Sequence, residues 1–330
     1  MNIQFSKVIR NLTNFHFKRC SEYRKILNTI NYDIKNEDLA LQPFLPVNLF
    51  KFKKMMSVPE NEIVKILQSS GTTGSLKSKI YLDQNNAINQ KRVLIDLAKN
   101  IMPQNRVPML IIDQNPNNID TKNLEARLAG IFGFSIFGKN YTYLLDEKGN
   151  IDYKNLNIFY KNHSKQKFFI FGFTSLVYEY LIKQLKSNYD FKNGILIHGG
   201  GWKKIESKKI DNIKFKNLLR KKMNLKKIYN YYGLVEQTGS IFFECEKCSS
   251  FYPTKYSKVF IRDEKLNILK KGKGMIQIIS SVPVSYPGHS ILTEDIGELV
   301  FNNCSCKKYG NRFKVLGRIE KSEVRGCSNI

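Results

Sequence analysis

The strongest constraint on the fold of this chain is a change of hydrophobic period near residue 238. Before it, Ile63 to Leu67, Pro108 to Asp113, Lys167 to Phe173 and Gly194 to His198 are apolar runs too short for helices, and they read as buried strands. Between them, Ile88, Val93, Leu94, Leu97, Ala98 and Ile101 recur at helical spacing over Asn85 to Met102. Further helices are expected around Leu124 to Phe132 and over Leu176 to Leu185. Alternating strands and helices imply parallel pairing in an α/β layer architecture. After residue 238 the helical period is lost. Ile241 to Glu244, Lys258 to Ile261, Met275 to Ser280 and Gly297 to Phe301 are short runs separated by Gly, Pro and Asp, which predicts β structure. The expected organisation is a helical segment over 1–60 ending in a connector with Pro43, Pro46 and Pro59, an α/β core over 61–238, and a β-rich part over 239–330.

At 330 residues and 42% hydrophobic, the chain can bury a sizeable core, so disorder is excluded for most of it. The charge is +26, which on its face suggests an anionic partner. However, 43 of the 54 basic residues are Lys and 11 are Arg, whereas sequence-reading nucleic-acid proteins favour the Arg fork. The densest run, Lys203 to Lys227, holds ten Lys and one Arg with apolar residues recurring between them, which predicts an amphipathic helix with a solvated basic face. No nucleic-acid role is expected. No membrane span and no secretory signal are expected either, so the chain reads as cytoplasmic with reduced thiols. Four of the six Cys are grouped, Cys245 and Cys248 as C-x-x-C and Cys304 and Cys306 as C-x-C. Four thiolates are the number a tetrahedral structural Zn²⁺ requires.

The most distinctive local feature is Ser69-Ser70-Gly71-Thr72-Thr73-Gly74-Ser75-Leu76-Lys77, which follows a strand candidate and precedes a helix candidate. The expected local order is strand, turn, helix. Such a loop offers backbone N–H groups and hydroxyls to phosphate oxygens, with a Lys adding a point charge. It is not a Walker loop, because Leu76 stands five residues after Gly71, where the second Gly should be.

The same run resembles the [ST]-S-G-T-T-G-x-x-K signature of acyl-adenylate-forming enzymes. Other elements follow in that superfamily's order. Asn230 to Gln237 resembles N-x-Y-G-x-T-E with Val235 in place of Thr, and Thr293-Glu294-Asp295 resembles T-G-D with Glu294 in place of Gly. Gly317-Arg318 with Arg325-Gly326 resembles the hinge G-R-x-D-x-x-x-x-R-G, with Glu320 in place of Asp. Within the superfamily the chain is most similar to the LuxE-type acyl-protein synthetases, and next to the phenylacetate-CoA ligase group, through the loop, His198 to Lys203 and the ending after Gly317. The sequence stops four residues after Gly326, so the resemblance implies the large-domain fold of an adenylate-forming enzyme without the small C-terminal domain.

The implied reaction is attack of a carboxylate on the α-phosphorus of ATP, giving an acyl-adenylate and pyrophosphate, with transfer of the acyl group to a thiol. By the resemblance, Ser70, Gly71, Thr72, Thr73, Gly74 and Lys77 hold the phosphates and Glu236 holds Mg²⁺. Tyr232 stacks on adenine, Gly200 and Gly201 let the backbone approach the ring, Asp295 accepts from the ribose, and Arg318 assists from the hinge. The acyl pocket falls on the strand carrying Phe171 and Phe173. Cys327 coincides with the Cys that acyl-protein synthetases acylate, beside Arg325, which favours the thiolate. The expected partners are a fatty or other carboxylic acid and an acyl-accepting or acyl-donating protein. The rival readings are a CoA ligase of the phenylacetate type and an inactive adenylation-like protein.

Overall fold

The computed structural model describes residues 3–69, 76–116, 122–186, 189–202, 210–301, 304–305 and 311–319. The chain opens with helices α1 (Ile3–Arg19) and α2 (Ser21–Thr29), strand β1 (Leu45–Pro46) and the short helix α3 (Leu49–Phe52). The antiparallel strands β2 (Ile63–Gln68) and β3 (Lys79–Asp83) lead into helix α4 (Gln84–Ala98). Strand β4 (Val107–Gln114), the short β5 (Asn123–Glu125), helix α5 (Ala126–Phe134), strand β6 (Gly138–Leu145) and helix α6 (Tyr153–His163) come next. Strand β7 (Phe168–Phe173) is followed by α7 (Thr174–Leu176), which runs on as π-helical turns over Val177–Gln184. Strand β8 (Gly194–Gly199), helix α8 (Asn212–Met223), strand β9 (Lys227–Tyr232) and the two-residue β10 (Phe242–Phe243) complete the α/β part. The remainder is β11 (Ser257–Arg262), β12 (Lys273–Ser280), β13 (Ser290–Val300) and β14 (Arg312–Arg318).

The expected α/β fold with a β-rich last third is what the chain forms. Its largest sheet has the order β10-β9-β8-β7-β4-β6, parallel except for the β10 edge. Helices cover both faces, so its strands are apolar on both. Phe169 and Phe171 pack with Met109, Ile197 and Phe134 on one face, while Phe168 and Ile170 pack with Leu181, Phe215 and Leu219 on the other. A second sheet runs β1-β13-β12-β11 with β14 added on β13, and a third runs β3-β2-β5. The first 60 residues share a core with the last third: Tyr23, Leu45 and Phe50 pack with Tyr286 and Ile291, and β1 pairs in parallel with β13.

Capping follows the sequence. Asp83, Asp152 and Asp211 accept from the backbone N–H groups of Asn86, Asn155 and Lys214 at the starts of α4, α6 and α8. Asn224 ends α8 in the left-handed region at φ 51°.

Two expectations are corrected. The Gly-rich segment does not run directly from strand to helix, because β3 intervenes and pairs antiparallel to β2. Lys79-Ile80-Tyr81-Leu82-Asp83 alternates over only five residues, so it carries little period of its own. Nor is the basic face of α8 wholly solvated. Lys216 is buried, and its Nζ donates to Glu244 Oε2 at 2.9 Å. Lys203 to Lys209, the first part of the basic run, lies outside the described residues.

Candidate active site

Parallel strands leave a crevice at their carboxyl ends, where the chain turns into loops with free backbone groups. In this protein β7 ends at Phe173, β8 runs into Gly200 and Gly201, and β9 runs into Gly233, and all of these residues line one cavity of about 480 Å³. Its polar wall carries Glu236, Thr238, Thr293, Glu294, Asp295 and Arg318. Its apolar wall includes Leu67, Leu94, Leu124, Phe132, Phe134 and Ile241. A space with both walls suits a substrate that is ionic at one end and greasy at the other.

Asp295 sits on β13 and is held from two sides. Tyr232 Oη donates to its Oδ2 at 2.7 Å and Arg318 Nε donates to its Oδ1 at 3.2 Å. Register places them together, since Asp295 is paired with Arg318 across the β13–β14 ladder. The Asp295 backbone N–H donates to Thr293 Oγ1 at 3.1 Å. Glu236 lies in a 3₁₀ turn, Val235–Gln237, after β9, and is 7% exposed. Burial raises its pKa, opposed by the Ser78 hydroxyl and, through space, by Arg318 and Lys51. The turn is fixed by Gln237, whose Nε2 donates to Ile278 O at 3.1 Å and Gly288 O at 3.0 Å. Val235, at the position expected to be Thr, packs against the core shared by the first 60 residues and Tyr286.

Glu236, Asp295, Arg318, Gly200, Gly201 and Phe173 are therefore brought to one cavity. Gly200 needs no side chain, as its φ is 76° and a Cβ would lie 3.0 Å from the Phe173 ring. Tyr232 is not in the wall. Its ring packs against Phe242, Phe251 and Phe313, with centroids 6.2, 5.9 and 6.0 Å away, and only its hydroxyl reaches the site through Asp295. The wall residue on that strand is Tyr231, which lies against Gly199 so closely that a Cβ there would be 2.4 Å from its ring. Phe171 is fully buried behind the wall, stacked on Phe134 at 4.9 Å. Lys77 forms an ion pair with Glu125, at the start of α5. Ser70, Gly71, Thr72, Thr73 and Gly74 lie outside the described residues, as do Cys306 and Cys327. The base of that loop is described: Ser69 N donates to Ser78 O at 3.1 Å, and Ser78 N to Ser69 Oγ at 2.9 Å.

The helix expected around Leu124 to Phe132 forms as α5, but the sequence did not mark it as part of the site, although its Ala126, Ala129, Gly130 and Gly133 all line the cavity. The signal was available, because Gly at two helix-interior positions costs about 1 kcal/mol each relative to Ala and invites a spatial reason. A Cβ at Gly130 would lie 3.1 Å from Phe173 Cζ, whereas at Gly133 it would meet nothing within 4 Å.

The family profile described as "Acyl-protein synthetase, LuxE" matches residues 2–330. The chain belongs to this family. Curated relatives of the chain include the long-chain-fatty-acid–luciferin-component ligases of Aliivibrio fischeri, 26% identical over 98% of this chain and 86% of the relative, and of Vibrio harveyi, 21% identical over the same shares. Among solved structures, 2-hydroxyisobutyryl-CoA ligase in complex with 2-HIB-AMP and CoA aligns with TM-score 0.69 at 10% identity, over 96% of this chain and 69% of that one. ATP-bound MatB from Rhodopseudomonas palustris aligns with TM-score 0.53 at 14% identity, over 80% and 49%. The fold is that of the adenylate-forming ligases, and the synthetase is an ATP-dependent ligase that forms an acyl-adenylate from a carboxylic acid. Among the described residues no helix is long and apolar enough to cross a membrane.

Proposed function

We propose that this synthetase activates a long-chain fatty acid and transfers the acyl group from its adenylate to the thiol of Cys327, from which a second protein receives it. The observation that carries the reading is the single cavity that joins Glu236 and Asp295 to an apolar wall built on α5, Leu94 and Ile241. In the first step a carboxylate oxygen attacks the α-phosphorus and pyrophosphate leaves. In the second, a thiolate sulfur attacks the acyl carbonyl carbon and AMP leaves with the bridging oxygen.

An in-line displacement between anions depends on positioning and charge neutralisation. Asp295, braced by Tyr232 and Arg318, presents a fixed acceptor for ribose hydroxyls. Gly200 and Gly201 leave room for the base beside the ends of β8 and β9. Lys77 and the loop it closes are assigned to the phosphates. Glu236 suits Mg²⁺, because a carboxylate buried in a cavity wall, with its nearest cations acting only through space, has charge to share with a metal. A bound Mg²⁺ would supply charge neutralisation at the phosphates. The zinc expected on the grouped cysteines has no part in this chemistry, since Cys245, Cys248 and Cys304 are outside the cavity wall.

Intact-mass spectrometry after incubation with ATP, Mg²⁺ and a panel of fatty acids tests the reading. A hydroxylamine-sensitive acyl adduct that disappears in Cys327→Ser, while acid-dependent pyrophosphate exchange persists, is the expected result. An adduct that survives in Cys327→Ser, or efficient formation of an acyl-CoA without any adduct, would contradict it.

A further inference from the structure

We infer that Cys245, Cys248 and Cys304 form a zinc site that clips the turn after β10 to the connection between β13 and β14. Their three Sγ atoms lie within 4.8 Å of one another, Cys245 buried and the other two partly so, and none is in a disulfide. Cys245 and Cys304 Sγ are 3.8 Å apart. That is far beyond an S–S bond of about 2.05 Å. It matches the separation of about 3.8 Å between two ligands of a tetrahedral ion with Zn–S of about 2.3 Å.

The chain around these thiols is built as a holder. Glu244 bridges to Phe251, so residues 245–250 form a tight turn, closed by Cys245 N donating to Ser250 O and Ser249 N to Cys245 O, both at 2.9 Å. Ser249 adopts φ 49°, a left-handed conformation that turns the chain immediately after Cys248. Arg312 Nη1 donates to Cys248 Sγ at 3.7 Å, which places a cation beside the thiols. Three thiolates on a divalent ion leave one net negative charge, and a neighbouring guanidinium offsets it. Soft thiolate donors in a tetrahedral spacing select zinc over the hard ions that carboxylates and phosphates bind.

The position gives the site a task. Phe251 and Phe313 exchange backbone hydrogen bonds of 2.8 and 2.9 Å, so the cysteine turn is stitched to the first residues of β14. The far end of that strand is Arg318, which braces Asp295 in the cavity. A metal clip at the start of β14 fixes a strand whose end serves the active site, without touching the reacting atoms.

The test is metal analysis of freshly purified, reduced protein with no zinc added. About one zinc per chain is expected, with X-ray absorption showing at least three sulfur neighbours at about 2.3 Å. Replacement by cobalt should give thiolate-to-metal charge-transfer absorption and tetrahedral ligand-field bands. Stripping the metal should lower the thermal midpoint by about 5 °C or more, recovered on adding zinc back. Cys248→Ser should lose the metal; if that variant does not fold, the wild-type content and spectra still decide. A folded wild-type sample with well under one zinc per chain, in which Cys245, Cys248 and Cys304 are all alkylated freely, would overturn the inference. So would zinc bound only through nitrogen and oxygen, or Cys245 and Cys304 recovered as a disulfide.

Discussion

Asp295 is 7% exposed, and what keeps it in place is a pair of donors, Tyr232 Oη and Arg318 Nε. A hydrogen bond to a charged group contributes about 1.5–3 kcal/mol, so Tyr232→Phe should raise the KM for ATP by about tenfold while the packing against Phe242 and Phe313 survives. A Tyr232 that stacked directly on adenine would instead tolerate Phe with little change, and steady-state kinetics distinguishes the two. Glu236→Ala should reduce acid-dependent exchange by about 100-fold or more, because it removes the carboxylate assigned to the metal. An unchanged rate would remove Glu236 from that role. The contrast between Tyr231 and Tyr232 marks a limit of sequence. Adjacent strand residues point to opposite faces, and two tyrosines in a row carry no pattern to say which face is the cavity. The glycines, by contrast, were legible: Gly200 and Gly201 stand in the wall where the run of Gly after β8 put them.

At the scale of elements, the strands of the main sheet were readable because burial on both faces leaves unbroken apolar runs. Strand β13 was not, because Ser290, Thr293 and Asp295 are buried in polar contacts and at the cavity, so its first half looks like a loop. Helix α5 was legible around Leu124 to Phe132, but its place in the cavity wall was not, because the residues that face the cavity include small ones, Ala126, Ala129, Gly130 and Gly133. A Cβ at Gly133 meets nothing within 4 Å and the residue lines the cavity, which yields a prediction: Gly133→Leu should put an apolar side chain into the cavity. Exchange with a long-chain acid should fall about tenfold or more and exchange with a short acid should be unaffected, read from kcat/KM across a chain-length series. Equal losses for all lengths would mean that α5 does not border the acyl chain. Helix α8 contributes a buried pair, Lys216 with Glu244, whose side chains are 6% and 1% exposed. Lys216→Met strands that carboxylate, and a loss of about 3–5 kcal/mol is expected in urea unfolding.

Across the whole molecule, the first 60 residues are joined to the β-rich part through a buried polar contact as well as an apolar one. His16 and His289 stack with centroids 5.0 Å apart; His16 Nδ1 meets Ser57 Oγ at 2.7 Å, and His289 Nε2 meets Thr13 Oγ1 at 3.0 Å. Burial holds His289 and His198 neutral with pKa values lowered to about 3, and lowers His16 well below its usual range. The unfolded chain takes up these protons near pH 6.5 and the folded one does not, so the stability is fully present above about pH 6.5 and is lost progressively as pH falls toward about 3. Urea midpoints should therefore drop steadily below pH 6.5, and His289→Gln should make that slope shallower. In the proposed function the polar and apolar walls of one cavity serve a single acyl-adenylating reaction. ATP–pyrophosphate exchange with fatty acids of increasing length tests it most directly. Exchange should require an acid and be strongest with long chains; exchange with no acid in the series, or with short acids alone, would rule that reaction out.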